Sequence, residues 1–154
     1  LDSEGARDCL LRKSVAGEIV LITGAASGIG KLIAFEFAKQ RSRLVLWDIN
    51  KSGIEETAED CRKLGVEAYP YVVDCSLKED IYSVAEKVKK DVGDITILVN
   101  NAGVATTADL LSTQDKQIQK IYDVNILAHF WVSITENLNF KYLVNIRNSG
   151  LKLN

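Results

Sequence analysis

Ile19-Val20-Leu21-Ile22-Thr23-Gly24-Ala25-Ala26-Ser27-Gly28-Ile29-Gly30 is the stretch that decides the fold. Four large aliphatic residues in a row read as a strand covered on both faces, because a half-exposed strand would alternate with polar residues. Glycines follow at 24, 28 and 30, and a helical pattern runs from Gly30 to Gln40. A strand that turns on glycine directly into a helix aims the unpaired N–H groups and the positive dipole end of that helix at one spot. Gly24 is expected to make the tight turn, Gly28 to let a pyrophosphate approach the backbone without a Cβ clash, and Gly30 to let helix and strand pack closely. The competing reading is a tight turn that binds nothing.

Outward from that turn, short β-branched runs alternate with longer helical segments, the pattern of repeated βα units around a parallel sheet. Leu44–Trp47, Ala68–Val73 and Ile95–Val99 join Ile19–Thr23 as expected strands. Pro70, the single proline, places the third of these at a sheet edge, where a missing N–H is tolerated. Lys51–Leu64 and Lys78–Val92 read as helices, the latter with Ile81, Val84, Ala85 and Val88 on one face. Ser76 is expected to cap it, with Glu79 completing a capping box. A fourth helix is expected over Thr113–Ile134, burying Ile118, Ile121, Tyr122, Asn125, Ala128 and His129. The fold class is therefore α/β, a Rossmann-type parallel sheet with helices on both faces. It has four firm strands and a candidate fifth at Tyr142–Ile146. The expected division is a polar segment over 1–17, one dinucleotide-binding domain over 18–134 and a tail over 135–154.

Composition narrows the function classes. With 154 residues, 47% hydrophobic and 26% charged, the chain has the makeup of an ordinary globular domain. A net charge of −2 with no basic run lacks the electrostatic footprint of nucleic-acid binding. Cys9, Cys61 and Cys75 form no C-x-x-C pair, so reduced structural thiols are expected. His129 is the only histidine and has no cluster of ligands at metal spacing, so no metal is expected. No apolar run reaches the roughly eighteen residues of a membrane span, and the opening residues are too polar for a signal peptide. The chain begins at Leu1 and contains no methionine, which suggests a fragment or a conceptual translation.

Asp48 closes the second strand twenty residues after Gly28, where a dinucleotide fold places the acid that binds the adenosine ribose. An acid there favours NAD over NADP, whose extra phosphate it repels; Lys51 softens that preference. The alternative is that Asp48 only caps the next turn. Asp74 ends the third strand and Asn100-Asn101-Ala102-Gly103 the fourth, so both lie at the carboxyl edge of the sheet. Taken alone, Asn100 and Asn101 are as readily turn formers as ligands. Asn125 lies in an apolar stripe and reads as a satisfied buried amide.

Together, TGAASGIG, Asp48, VVDC at Asp74, NNAG at Asn100–Gly103 and VN at Asn125 resemble the short-chain dehydrogenase/reductase family. The flanking KSVAGEIVLITG, LVLWDIN, ILVNNAGV and DVNILAHFW are similar to the branch holding 17-beta-hydroxysteroid dehydrogenases type 11 and 13 and the epidermal retinol dehydrogenases. The resemblance runs from about Lys13 to Val132. It implies an NAD(P)-dependent oxidoreductase of lipophilic alcohols and carbonyls, such as sterols or retinol, attached to endoplasmic reticulum or lipid droplets; this chain alone would be cytoplasmic. By the same resemblance Gly24, Ser27, Gly28, Ile29 and Gly30 form the cofactor loop, Asp48 is the ribose acid and Asp74 the adenine-side acid. Asn101, Ala102 and Gly103 lie beside the nicotinamide ribose, and Asn125 is the asparagine of the catalytic tetrad.

The other tetrad members do not carry over. The family uses a tyrosine with lysine four residues on, the lysine lowering the phenol's pKa for proton exchange. Tyr69, Tyr71, Tyr82, Tyr122 and Tyr142 are followed at that spacing by Val73, Cys75, Glu86, Ile126 and Ile146. Beyond Val132 the similarity stops. Arg147 falls where the catalytic serine is expected, Ser149 reads as a loop residue, and the tail has the look of read-through into unrelated sequence. Two expectations result: an oxidoreductase-type chain that binds NAD but lacks its proton-transfer groups, or a non-enzymatic product that docks to full-length relatives, in homo- or hetero-oligomers, or is degraded.

Overall fold

The computed structural model describes residues 14–105, 112–135 and 142–145. Their elements are β1 (Ile19–Thr23), α1 (Gly28–Lys39), β2 (Arg43–Asp48), α2 (Lys51–Lys63), β3 (Ala68–Val72), α3 (Lys78–Asp91), β4 (Ile97–Asn100) and α4 (Asp115–Tyr122). A π turn (Asp123–Leu127), α5 (Ala128–Ser133) and β5 (Tyr142–Asn145) follow. The strands form one sheet in the order β3-β2-β1-β4-β5, with every pair parallel. The fold is thus the parallel α/β architecture expected, and Tyr142–Asn145 supplies the fifth strand. Pro70 lies in β3, at the sheet edge.

Period-two alternation sends each strand's side chains to two cores. Leu21, Val45, Trp47 and Leu98 meet Ile81, Val84 and Val88 of α3 and Ala128 and Val132 of α5 on one face. Val20, Ile22, Leu44, Leu46, Ile97 and Val99 meet Ala34 and Ala38 of α1 and Ile54, Ala58 and Cys61 of α2 on the other. Each fully buried aliphatic side chain contributes about 1.5–3 kcal/mol.

From β1 the chain winds outward to β2 and β3, then returns to the other side of β1 for β4. The ends of β1 and β4 are therefore the topological switch point, where such sheets open a crevice.

Three local expectations need correction. Strand β4 starts at Ile97 rather than Ile95, because the Ile19 N–H goes to the Thr96 hydroxyl at 3.0 Å rather than to a backbone carbonyl of that segment, so the pairing with β1 begins at Val20–Ile97 although Thr96 N–H still donates to Ile19 O at 2.9 Å. Ser76 does not cap α3. Its hydroxyl and N–H both go to Asp74 Oδ1 (2.6 and 2.9 Å), and Leu77 occupies the cap position without a side-chain bond. The single helix expected over 113–134 is split by the π turn, whose extra residue rotates the preceding segment by roughly a hundred degrees. Ile118 and Tyr122 are consequently exposed, and Val124, Ala128 and Val132 are the buried positions.

Candidate cofactor site

The site is built where β1 runs into α1. Gly24 N–H and Ala25 N–H both donate to Trp47 O (2.8 and 3.2 Å), tying the turn to the end of β2. Gly24 has φ +69°, and a Cβ there would stand 2.9 Å from Ala102 Cα, so only glycine lets the turn touch the end of β4. A Cβ at Gly30 would overlap Gly24 O and the Asn101 amide. The close packing expected of Gly30 is thus with the loop and the Asn101 side chain rather than the body of the strand. Gly28 has φ +55° and open space where its Cβ would be.

Ser27, Gly28 and Ile29 are exposed at the start of α1. Ser27 is its N-cap in extended backbone, makes no side-chain cap bond, and the first turn holds no acidic residue. The N–H groups of that turn have no intrahelical partners and the dipole is uncompensated, which suits an anion.

A threonine and an asparagine hold this loop from behind. Thr23 Oγ1 accepts from Asn101 N–H and Ala102 N–H, both at 3.0 Å. Asn101 Nδ2 donates to Thr23 O at 2.9 Å and Gly24 O at 3.1 Å. Asn101 therefore braces the glycine turn. Asn100 Nδ2, fully buried, turns the other way, to Asn145 Oδ1 of β5 at 3.0 Å and Ser133 Oγ at 3.2 Å.

Asp48, half-buried at the end of β2, accepts Ala26 N–H on Oδ2 and Asn50 N–H on Oδ1, both at 2.9 Å. It both caps the following turn, as its alternative reading held, and clamps the glycine loop. Each carboxylate oxygen keeps capacity for a further donor. Asp74 lies beyond it, its Oδ1 bonded to Ser76 and both oxygens 3.2 Å from Lys120 Nζ. Burial alone pushes the Asp74 carboxyl up, but the Ser76 hydroxyl and N–H and the Lys120 ammonium outweigh it and hold it below the ordinary carboxylate range.

These residues surround a crevice of about 120 Å³ lined by Gly24, Asp48, Asp74, Ala102, Gly103 and Lys120, with Ile49, Val73 and Val124 among its apolar walls.

On the far side Asn125, inside the π turn, grips Val104. Its Oδ1 accepts the Val104 N–H at 2.8 Å and its Nδ2 donates to Val104 O at 2.9 Å. The amide is satisfied as expected, though half-buried rather than buried. One helical turn on, His129 Nε2 lies 3.3 Å from Ala102 O. It is half-buried as well, so the one imidazole stands beside the 101–103 edge instead of being lost in the core. Thr23, Ser76, Lys120 and His129 were not assigned to the site from the sequence. Thr23 sits in the quoted motif and could have been flagged there; the other three become neighbours of the site only through folding.

Among the described residues no group of three or more His, Cys, Asp or Glu could hold a metal, and no helix is long and apolar enough to cross a membrane. Arg147 and Ser149 lie outside the described residues.

Comparison with known proteins fits this geometry. The family described as short chain dehydrogenase matches residues 18–140. Estradiol 17-beta-dehydrogenase 11 of Mus musculus is 69% identical over 122 residues, covering 79% of this chain and 41% of that protein. 17-beta-hydroxysteroid dehydrogenase 13 of Homo sapiens is 66% identical with the same coverages. The chain thus spans about two-fifths of the curated relatives it matches. Among solved structures, an NAD+-bound xylitol dehydrogenase superposes with a TM-score of 0.80 at 28% identity, over 86% of this chain and 54% of that one. The L-sorbose reductase of Gluconobacter frateurii, complexed with NADPH and L-sorbose, gives 0.73 at 30% identity, over 78% and 46%.

Proposed function

The chain belongs to the short chain dehydrogenase family, and from that membership we propose that it is the cofactor-binding part of an oxidoreductase that takes NAD in preference to NADP. The observation that carries this reading is the glycine turn braced by Asn101 and Asp48 above a helix N-terminus free of acid. Gly24, Ser27, Gly28, Ile29 and Gly30 would cradle the pyrophosphate. Asp48 would take the adenosine ribose, Asp74 the adenine, and Asn101, Ala102 and Gly103 the nicotinamide side. A bound nicotinamide supplies or accepts a hydride. By similarity the substrate class is a lipophilic alcohol or carbonyl, a steroid or retinol, with endoplasmic reticulum or lipid droplet as the setting.

The family's carrier for the proton that must accompany the hydride, a tyrosine with lysine four residues on, is missing from this sequence, and the one imidazole, His129, turns its Nε2 to Ala102 O. No tyrosine is followed by lysine at the fourth position, and Asn125, the one tetrad member matched, spends both amide groups on Val104. General acid–base groups typically contribute on the order of 10² to 10⁴ in rate, so the chain by itself is expected to bind cofactor without turnover. Purified chain would be titrated with NAD and then assayed by NADH absorbance with retinol, a 17-beta-hydroxysteroid and long-chain alcohols, using a full-length relative as positive control. Absence of NAD binding sinks the binding reading. Turnover that Asn125→Ala abolishes sinks the inactive one.

A second reading has its own support. Ile118, Tyr122, Ile126, Phe130 and Ile134 recur every four residues and are each between 43% and 62% exposed, an apolar stripe running from α4 past α5. Such a stripe on a protein surface marks a contact site. In this reading the chain acts by docking that helix to a full-length relative. Mixing the two and measuring mass in solution, with Phe130→Asp as the disrupting variant, tests it.

A further inference from the structure

Among the described residues Lys120 is the sole cation that lines the crevice, and it reaches from α4 across to the end of β3. Its ammonium bonds Ser76 Oγ at 2.5 Å and stands 3.2 Å from each oxygen of Asp74. Those contacts divide the Asp74 carboxylate unequally. Oδ1 is taken by the Ser76 N–H, the Ser76 hydroxyl and Lys120, whereas the contact recorded for Oδ2 among the described residues is Lys120 alone. Ser76 pins one oxygen, and Lys120 sets the plane about it, leaving Oδ2 with room for one more donor.

Burial gives Lys120 a further task, because it favours the protonated form of Asp74 or its rotation outward. The ammonium opposes both. Its aliphatic stem meanwhile adds apolar wall to a crevice already flanked by Ile49, Val73 and Val124. A slot with apolar walls and one ionised, oriented acceptor suits a flat heteroaromatic ring bearing an exocyclic amine.

We propose that Lys120 is a positioning residue of the cofactor site: it holds Asp74 with Oδ2 presented to the crevice, so that the site selects a purine carrying an amine over one carrying a carbonyl at the same carbon. This rests on the dinucleotide reading above. The amine of adenine donates to Oδ2, whereas the carbonyl oxygen of hypoxanthine would meet it acceptor to acceptor, a mismatch that costs affinity. Lys120 acts through Asp74, so its removal should change which base is preferred more than whether a dinucleotide binds.

The test is calorimetric titration of the full chain with NAD and with nicotinamide hypoxanthine dinucleotide, which differ at C6 of the base and, with it, at N1, an acceptor in adenine and an N–H donor in hypoxanthine. The wild-type chain is expected to favour NAD by about tenfold or more, an affinity difference of about 1.4 kcal/mol. Lys120→Met should reduce that preference to threefold or less, and Lys120→Arg should restore it. Lys120 is 45% exposed on its helix, so both variants should fold; circular dichroism checks this, and Lys120→Gln serves if the methionine variant aggregates. An unchanged preference in folded Lys120→Met or Lys120→Gln overturns the inference while leaving the site intact. Binding of neither dinucleotide by the wild-type chain overturns the reading of the site, and the inference with it.

Discussion

The Asn101 amide donates to two successive carbonyls of the glycine turn, Thr23 O at 2.9 Å and Gly24 O at 3.1 Å, while Thr23 Oγ1 receives the Asn101 N–H in return at 3.0 Å. Two segments 78 residues apart in sequence are thereby locked across the switch point of the sheet. The turn that would receive a pyrophosphate is thus held by the strand end that would receive the nicotinamide side, and damage to either should be felt by both.

Thr23→Val keeps the shape of the side chain but removes the acceptor of the Asn101 and Ala102 N–H groups. Thr23 and Asn101 are buried, so water cannot replace it. Two unsatisfied donors at about 1–3 kcal/mol each predict a loss on the order of 2–6 kcal/mol in urea unfolding, together with weakened NAD binding. A loss within error of zero would mean that water reaches this turn.

The glycines should separate by mechanism. Gly28→Val places a branched side chain over the open start of α1, at a positive φ that costs about 1–2 kcal/mol. It should abolish dinucleotide binding while the fold persists. Gly30→Ala drives a methyl into Gly24 O and the Asn101 amide, an overpacking cost of about 1–3 kcal/mol that should lower the melting temperature as well as affinity. Retained NAD affinity in Gly28→Val would mean that the loop is only a turn.

Asp48 holds Ala26 N–H and Asn50 N–H, so truncation to alanine would confuse loop stability with specificity. Asp48→Asn is the cleaner change because it can keep one acceptor while removing the charge. The ratio of NADP to NAD dissociation constants should fall by about tenfold, or 1.4 kcal/mol. An unchanged ratio would leave Asp48 as a clamp only.

Both described cysteines are buried thiols, and burial pushes Cys61 up to about 11 and Cys75 up to about 12. An unfolded thiol titrates near 8.5, so the folded chain keeps these protons to higher pH than the unfolded chain does. The associated stability is complete below about pH 8.5 and is lost as pH rises through the folded values. Melting temperature should therefore fall between about pH 9 and 12, and Cys75→Ala should flatten that fall. Native-state alkylation of either thiol at pH 8 should be slow; rapid labelling would contradict the burial.

The α/β alternation, the parallel sheet and the edge position of β3 were legible in the chain itself, because unbroken runs such as IVLIT and LVLW are stable only when covered on both faces. The glycine turn and the spacing to Asp48 were legible for a related reason: positive φ and close backbone approach admit few residue types, so local sequence records them. What a side chain does with its polar atoms was not recorded locally. Ser76 and Glu79 have the spacing of a capping box, yet Asp74 two residues earlier captured the serine. The 3.6-residue period placed Ile118 and Tyr122 inside, and a π turn carried them out. Asn101 became a brace, Asp48 a clamp with spare acceptor capacity, and Lys120 and His129 neighbours of the crevice only when elements 20 to 80 residues apart were brought together. Periodicity and turn chemistry act over a few residues and are written in order along the chain. Hydrogen-bond partners are chosen by distance in space, and that choice belongs to the folded molecule.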